Sequence, residues 1–125
     1  MSLALWCMLV AGLLPYVTVS FAKAGKSYDN NDPRGYAARL EGRAKRANAA
    51  HLNHFEAFPL FAAAVLVSEL KATGGTTVNT LAAVFILARI AYTWCYLADQ
   101  ASARSAAWFV GLACTLAILT SPAWR

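Results

Sequence analysis

Long apolar stretches limit what this chain can fold into. Residues 2–22 and 78–98 approach or reach the roughly 20 residues that an α-helix needs to cross a bilayer. Residues 106–123 form a third stretch, and the apolar run 60–67 completes a fourth. Only 14% of the residues are charged, against roughly a quarter in soluble domains. We therefore predict an all-α, integral membrane four-helix bundle, a single domain of residues 1–125 with spans at about 2–22, 46–70, 77–98 and 104–122.

The first stretch could alternatively be a signal peptide, because Ala22, Lys23 and Ala24 resemble a cleavage site. No Lys or Arg precedes the apolar run, however, and a signal peptide normally begins with a basic segment. We interpret the stretch as the first transmembrane helix, in which Pro15 is expected to introduce a kink that neighbouring helices absorb.

Basic residues are concentrated in the predicted cytoplasmic loop and helix extension, at about residues 23–45. Seven of the eleven lie between the first two spans: Lys23, Lys26, Arg34, Arg39, Arg43, Lys45 and Arg46. The positive-inside rule places this segment in the cytoplasm and both termini on the opposite side, in the inner membrane if the protein is bacterial. The net charge of +5 is not spread as on a nucleic-acid-binding surface. Anionic lipid headgroups are the expected partner of the basic residues that no site uses.

The second helix carries polar residues into its apolar part. Asp32 followed by Pro33 is typical of a helix start, so we expect this helix to begin near Asp32 and continue into the membrane. Steps of three, four and seven residues place one basic-to-acidic set on a single face, consisting of Arg39, Arg43, Arg46, Asn53 and Glu56. An ionisable residue such as Glu56 at membrane depth requires a partner.

The third helix offers such a partner. Arg89, Tyr92 and Tyr96 are spaced i, i+3, i+7, which aligns one cation and two phenols on a single face. Arg104 opens the fourth helix on the same side of the membrane as the basic segment. We expect these residues to cluster with Arg43, Arg46, Asn53 and Glu56 in the half of the bundle nearest the basic segment, in a site suited to an anionic, hydrogen-bonding ligand.

Metal binding is a weaker interpretation. His51 and His54 are spaced i, i+3 and could join Glu56, but a zinc or copper site normally requires a further convergent ligand. We expect no metal, and a hydrogen-bonding or interface role for both histidines. The three cysteines show no disulfide or metal-binding pattern and are assigned to packing: Cys7, Cys95 and Cys114.

These residues resemble a known family. The helix-two motif is formed by Ala50, His51, Asn53, Glu56 and Pro59, followed by Leu60 and Phe61, and is similar to that of MAPEG, the membrane-associated proteins in eicosanoid and glutathione metabolism. The stripe of Arg89, Tyr92 and Tyr96 and the segment 101–104 are similar to helix three and the start of helix four in leukotriene-forming members. The resemblance covers nearly the whole chain and suggests a bacterial-type member.

The resemblance implies a homotrimer in which glutathione, as co-substrate, lies between subunits. Asn53 and Glu56 would hold the peptide, and Glu56 would reach its α-amino group. The remaining ligands would be Arg46, Arg89, Tyr92 and Tyr96, with Lys23 contributed across the interface. Arg104 would act catalytically near the sulfur, because a nearby cation favours the thiolate of a thiol whose pKa is about 8.5. The implied activity is that of a glutathione transferase or peroxidase acting on lipophilic electrophiles or hydroperoxides.

Three positions differ from the pattern of many family members. Ala49 and Ala57 stand where an arginine and a tyrosine are common, and His54 stands where an acidic residue often follows the Asn. Loss of a guanidinium from a carboxylate site removes a hydrogen bond worth roughly 1.5–3 kcal/mol, for which Arg46 would substitute. The alternative function is a non-catalytic membrane scaffold or accessory subunit that retains the fold. A transporter is disfavoured because the four spans show no internal repeat.

Overall fold

The computed structural model describes residues 1–25 and 27–124; Lys26 lies outside the described residues. The described chain is helical and contains no strand. Its helices are α1 (Leu3–Ala22), α2 (Pro33–Ala38), α3 (Gly42–Leu70), α4 (Thr76–Leu97), α5 (Ala101–Leu119) and α6 (Ser121–Trp124). The predicted all-α four-helix bundle is confirmed.

Four of these helices have the length and composition of membrane spans. The mean hydropathy of the most apolar part is 1.9 in α1, 1.2 in α3, and 1.5 in both α4 and α5. At about 1.5 Å per residue, each is close to or longer than the roughly 30 Å hydrocarbon core of a bilayer. The protein is therefore an integral membrane protein.

Small residues allow the helices to approach closely. Helix α1 packs on α3 and α4, while α5 packs on α4 and α3. Buried alanines lie at these contacts, and they include Ala4, Ala11, Ala64 and Ala82. Close backbone approach is a main source of stability between helices in lipid, where apolar burial contributes little. In the centre, the rings of Phe61 and Phe85 stack with centroids 3.8 Å apart.

The segment before α3 differs from the prediction. Asp32 does begin a helix, since its carboxylate accepts a hydrogen bond of 3.0 Å from the Gly35 amide. This helix, α2, ends at Ala38, however, and α3 begins separately at Gly42, whose φ is +61°. The expected continuous helix from Asp32 is therefore wrong. The hydroxyl of buried Tyr36 donates to the Ala22 carbonyl at 3.0 Å, which fixes α2 to the end of α1.

The opposite end of the bundle has its own polar contacts. The Ser2 hydroxyl donates to Glu69, and the Ala4 amide donates to Asn79 Oδ1 at 3.0 Å. These bonds join the start of α1 to the end of α3 and the start of α4. They provide Glu69 with a partner at the end of the bundle remote from the predicted site.

Candidate functional site

The most deeply buried cation of the described chain lies at the centre of the predicted polar cluster. Arg89, on α4, is only 2% exposed. Its Nε donates to His54 Nδ1 at 3.2 Å, and its Nη2 lies 3.0 Å from the same nitrogen and donates to Asn53 Oδ1 at 2.9 Å. A planar guanidinium suits this arrangement because it donates in several fixed directions at once. Arg89 therefore joins α4 to two adjacent residues of α3.

His54 is a hydrogen-bonding link in this cluster. Because Nδ1 accepts from Arg89, the ring proton is on Nε2, which donates to Thr93 Oγ1 at 2.8 Å. Thr93 in turn donates to the Arg89 carbonyl at 3.0 Å. The three hydrogen bonds form a closed ring from Arg89 to His54, from His54 to Thr93 and from Thr93 back to Arg89. The imidazole therefore holds the guanidinium in position.

The sequence predicts a hydrogen-bonding or interface role for His54 but does not pair it with Arg89. The sequence did contain a signal that His54 is buried. The buried positions of α3 follow helical spacing, and they include Ala47, Ala50, His54 and Phe61. A histidine in an otherwise apolar buried stripe indicates a polar partner on the facing helix. Which residue of α4 that partner is depends on tertiary packing.

Asn53 and Glu56 form the outer part of the cluster. Asn53 Nδ2 donates to Glu56 Oε2 at 3.0 Å, while its Oδ1 accepts from Arg89. The amide is thus polarised between a carboxylate and a cation. Glu56 is exposed, and in the described chain its link to Arg89 runs through Asn53. The carboxylate therefore remains accessible to a positively charged group.

Aromatic rings extend the cluster from Arg89 towards the start of α5. The Arg89 guanidinium lies 4.3 Å from the ring centroid of Tyr92, which meets Tyr96 edge to face at 5.6 Å. The guanidinium of Arg104 lies 4.4 Å from the Tyr96 ring. Cation–π contacts and an aromatic pair thus connect two arginines from different helices. Arg104 is only partly buried, so its charge is accessible beside the cluster.

A lateral cavity of about 180 Å³ opens at the cluster between α3, α4 and α5. Asn53, Glu56 and Arg89 form its polar end. Its remaining lining comes from Ala57, Leu60, Phe85, Trp108, Gly111, Leu112 and Thr115. Pockets for drug-sized ligands have volumes of roughly 300–1,000 Å³. One chain therefore supplies a polar anchor and an apolar wall, with less space than a tripeptide needs.

The structure separates the other predicted basic residues from this cavity. Arg46 donates from Nη2 to the Leu97 carbonyl at 3.3 Å, and its buried Nε has no hydrogen-bond partner among the described residues. Arg43 lines a different cavity, with Trp94, Leu97 and Ala98. Within one chain these two arginines therefore lie at the end of α4 and not at the lateral cavity, and their part in the site stays a prediction.

Lys23 also lies outside the cluster. It directly follows α1, and its Nζ is 5.3 Å from the centroid of the Tyr28 ring. Within one chain it contacts neither the cavity nor the residues around Arg89. Any contribution of Lys23 to the site would have to come from another subunit.

The second histidine also has a hydrogen-bonding role. His51 Nδ1 donates to the Pro15 carbonyl at 2.8 Å, and this bond joins α3 to α1. The described residues contain no group of three His, Cys, Asp or Glu side chains that could hold a metal. Among the cysteines, Cys7 and Cys114 are buried and Cys95 is partly buried, each as a free thiol.

Comparison with known proteins gives one match. The family model described as "MAPEG family" matches residues 3–124, from the first residue of α1 to the last of α6. No curated protein and no solved structure matches the chain.

Proposed function

Because the chain belongs to the MAPEG family, we propose that it is a membrane glutathione transferase or peroxidase that presents the glutathione thiolate to lipophilic electrophiles or hydroperoxides. One observation carries the proposal: the lateral cavity has a carboxylate, an amide and a buried cation at one end and apolar walls elsewhere. A polar peptide and a lipophilic second substrate need these two surfaces side by side.

The polar end suits the peptide. Glu56 is exposed and would accept a hydrogen bond from the α-ammonium group of glutathione. Asn53 would present its amide to the peptide, and Arg89 would orient that amide through the 2.9 Å bond to its Oδ1. Tyr92 and Tyr96 would complete this side of the site.

Arg104 would act on the sulfur. A cation near a thiol stabilises the thiolate and lowers its pKa from about 8.5, which increases the nucleophilic fraction at neutral pH. The contact with Tyr96 holds the guanidinium beside the cluster while leaving it partly exposed. The thiolate would attack an electrophilic carbon and form a thioether. The bond from that carbon to the leaving group would break, and the leaving group would take the electron pair.

We propose that the complete site forms in a homotrimer. The cavity of one chain is small for a tripeptide, so a neighbouring subunit would supply the remaining wall and Lys23. Ala49 and Ala57 leave two positions without the polar side chains that are common in the family. Arg46 would not replace the missing arginine within its own chain, since it bonds to the Leu97 carbonyl.

We also propose an orientation in the membrane, which the positive-inside rule supports. The basic segment before α3 would face the cytoplasm, with both termini on the opposite side, in the inner membrane if the protein is bacterial. Glutathione would then reach the site from the cytoplasmic side, and the lipophilic substrate would enter laterally from the bilayer.

A test compares thiolate formation in three purified proteins. The wild type, Arg104→Ala and the control Arg34→Ala are titrated with glutathione, and the ultraviolet absorbance of the thiolate is recorded. Arg34 is exposed on α2, away from the cavity. We expect a thiolate signal in the wild type and the control and its loss in Arg104→Ala. Absence of glutathione binding to the wild type at millimolar ligand would refute the proposal.

A second candidate is a non-catalytic scaffold or accessory subunit. It is favoured by the mutual hydrogen bonding of Asn53, His54 and Arg89, which satisfies much of the polar cluster without a ligand. Purification from native membranes distinguishes the two. A stoichiometric partner protein that covers Asn53 and Glu56 supports the scaffold, whereas an isolated trimer that binds glutathione supports the enzyme.

A further inference from the structure

A second concave surface lies between α1 and α4 and shares no lining residue with the lateral cavity, although Thr93 in its lining also bonds to His54. Its volume is about 220 Å³. Each helix contributes residues spaced i, i+3, i+4, i+7, which are Leu14, Val17, Thr18 and Phe21 from α1, and Ile90, Thr93, Trp94 and Leu97 from α4. We name this surface the α1/α4 groove. Seven residues of helix give it a length of about 10 Å along the bundle.

The α1/α4 groove presents a hydrocarbon surface. Its two threonine hydroxyls are already hydrogen-bonded, Thr18 to the Leu14 carbonyl at 2.7 Å and Thr93 to the Arg89 carbonyl at 3.0 Å. Its outer walls are exposed, and Trp94 is the most exposed of them at 71%. A hydrocarbon chain fits such a lining, because both threonine hydroxyls keep their hydrogen bonds when the groove is filled.

A cation lies at one end of this groove. The cavity lined by Arg43, Trp94, Leu97 and Ala98 shares Trp94 and Leu97 with the α1/α4 groove, so the two adjoin at these residues. Arg43 is exposed and has no hydrogen bond or ion pair among the described residues. The second guanidinium, of Arg46, binds the Leu97 carbonyl beside it. A ligand in this surface thus meets hydrocarbon along the helices and positive charge at the end of α4.

The surrounding charge is mainly positive, although the acidic Asp99 directly follows Ala98 of this cavity. Residues 39–46 contain four basic side chains and one acidic, Glu41. Tryptophan is enriched where hydrocarbon meets headgroups, and Trp94 lines both parts of the surface, at the boundary between them. The order of apolar groove, tryptophan and arginine follows the order of acyl chain, glycerol region and phosphate in a phospholipid.

We propose that the α1/α4 groove and Arg43 bind one anionic phospholipid, with an acyl chain in the groove and the phosphate at Arg43. This site is separate from the proposed glutathione site and does not depend on catalysis. A basic side chain near an anionic membrane surface contributes on the order of 1 kcal/mol, so Arg43 should increase lipid affinity about fivefold.

The test uses Trp94 as a reporter. A variant with Trp6, Trp108 and Trp124 changed to Phe is placed in phosphatidylcholine nanodiscs, and brominated phosphatidylglycerol or brominated phosphatidylcholine is added in steps. Bromine on an acyl chain quenches a tryptophan that it contacts. We expect phosphatidylglycerol to reach half-maximal quenching at about fivefold lower mole fraction than phosphatidylcholine.

Matched variants distinguish lipid binding at a specific site from general attraction of anionic lipid to a basic protein. Arg43→Gln should abolish the preference, whereas Arg34→Gln, which removes an exposed charge on α2, should leave it unchanged. Equal quenching by both lipids, or an equal effect of the two variants, would overturn the proposal. Absence of quenching by either lipid would also overturn it, because a second protein copy would then cover the groove.

Native mass spectrometry of protein that retains all its tryptophans gives an independent measurement. The wild type and Arg34→Gln should retain one phosphatidylglycerol per chain after delipidation, and Arg43→Gln should lose it. Equal retention in all three would contradict the proposed role of Arg43. Glutathione binding is measured on the same samples, so a failure of either proposal is recognised separately.

Discussion

Replacement of Arg89 by lysine tests whether the buried guanidinium stabilises the bundle through its geometry. Lysine keeps the charge and most of the side-chain length, but it donates from a single nitrogen and lacks the planar fork. Arg89 reaches His54 from both Nε and Nη2, and Asn53 from Nη2, so a lysine with one terminal nitrogen loses at least one of these contacts. The stacking over Tyr92 at 4.3 Å is also weakened.

The size of the effect follows from these contacts. Loss of one hydrogen bond from a charged group costs about 1.5–3 kcal/mol. A weakened cation–π contact costs roughly a further 0.5–1 kcal/mol. The lysine ammonium is also more strongly hydrated than a guanidinium, so its burial adds to the loss. Arg89→Lys should therefore lower the free energy of unfolding by about 2–4 kcal/mol.

Unfolding by sodium dodecyl sulfate in mixed micelles, followed by circular dichroism, measures this change. Arg34→Lys is the control, because an exposed substitution away from such contacts alters stability by less than about 0.5 kcal/mol. A double-mutant cycle with Asn53→Ala isolates the bond to Asn53. The reasoning is refuted if Arg89→Lys behaves as the control does, or if Asn53→Ala costs the same in both backgrounds.

Two further substitutions test the packing and the helix start. Phe61→Ala removes a fully buried ring stacked on Phe85 and should lower the free energy of unfolding by roughly 2–3 kcal/mol in the same assay, because packing is lost and a cavity is left. Gly42→Ala places a Cβ where φ is +61° and should cost about 1–2 kcal/mol, although no atom beyond the adjoining backbone and the two neighbouring residues lies within 4 Å of that Cβ.

Each of these has a matched control. Phe109 is 63% exposed, so Phe109→Ala should have a much smaller effect than Phe61→Ala. Gly42→Asn should cost less than Gly42→Ala, since asparagine tolerates the left-handed conformation better. Equal losses within either pair would contradict the burial of Phe61 or the backbone conformation of Gly42.

The helices could be predicted from sequence because membrane spans depend on length and composition. The separation of α2 from α3 could not, although Gly42 was visible between the two segments. A single glycine is tolerated inside many helices. Only the observed φ of +61° shows that here it starts a new helix.

The sequence predicted which residues belong to the candidate site better than it predicted which of them contact each other. Helical spacing correctly placed Arg89, Tyr92 and Tyr96 on one face. The same argument aligned Arg46 with Asn53, yet Arg46 binds the Leu97 carbonyl instead. Periodicity gives the direction of a side chain around its helix. It does not give the depth at which the neighbouring helix offers an acceptor.

The contact between Arg89 and α3 also bears on how the chain enters the membrane. An arginine at the centre of a single helix costs roughly 2.5–3.5 kcal/mol on insertion. Helix α3 precedes α4 in the chain, so Asn53 and His54 are already synthesised when Arg89 emerges from the ribosome. The arginine can thus pair with its acceptors during insertion, and α3 and α4 are best regarded as one unit of biogenesis.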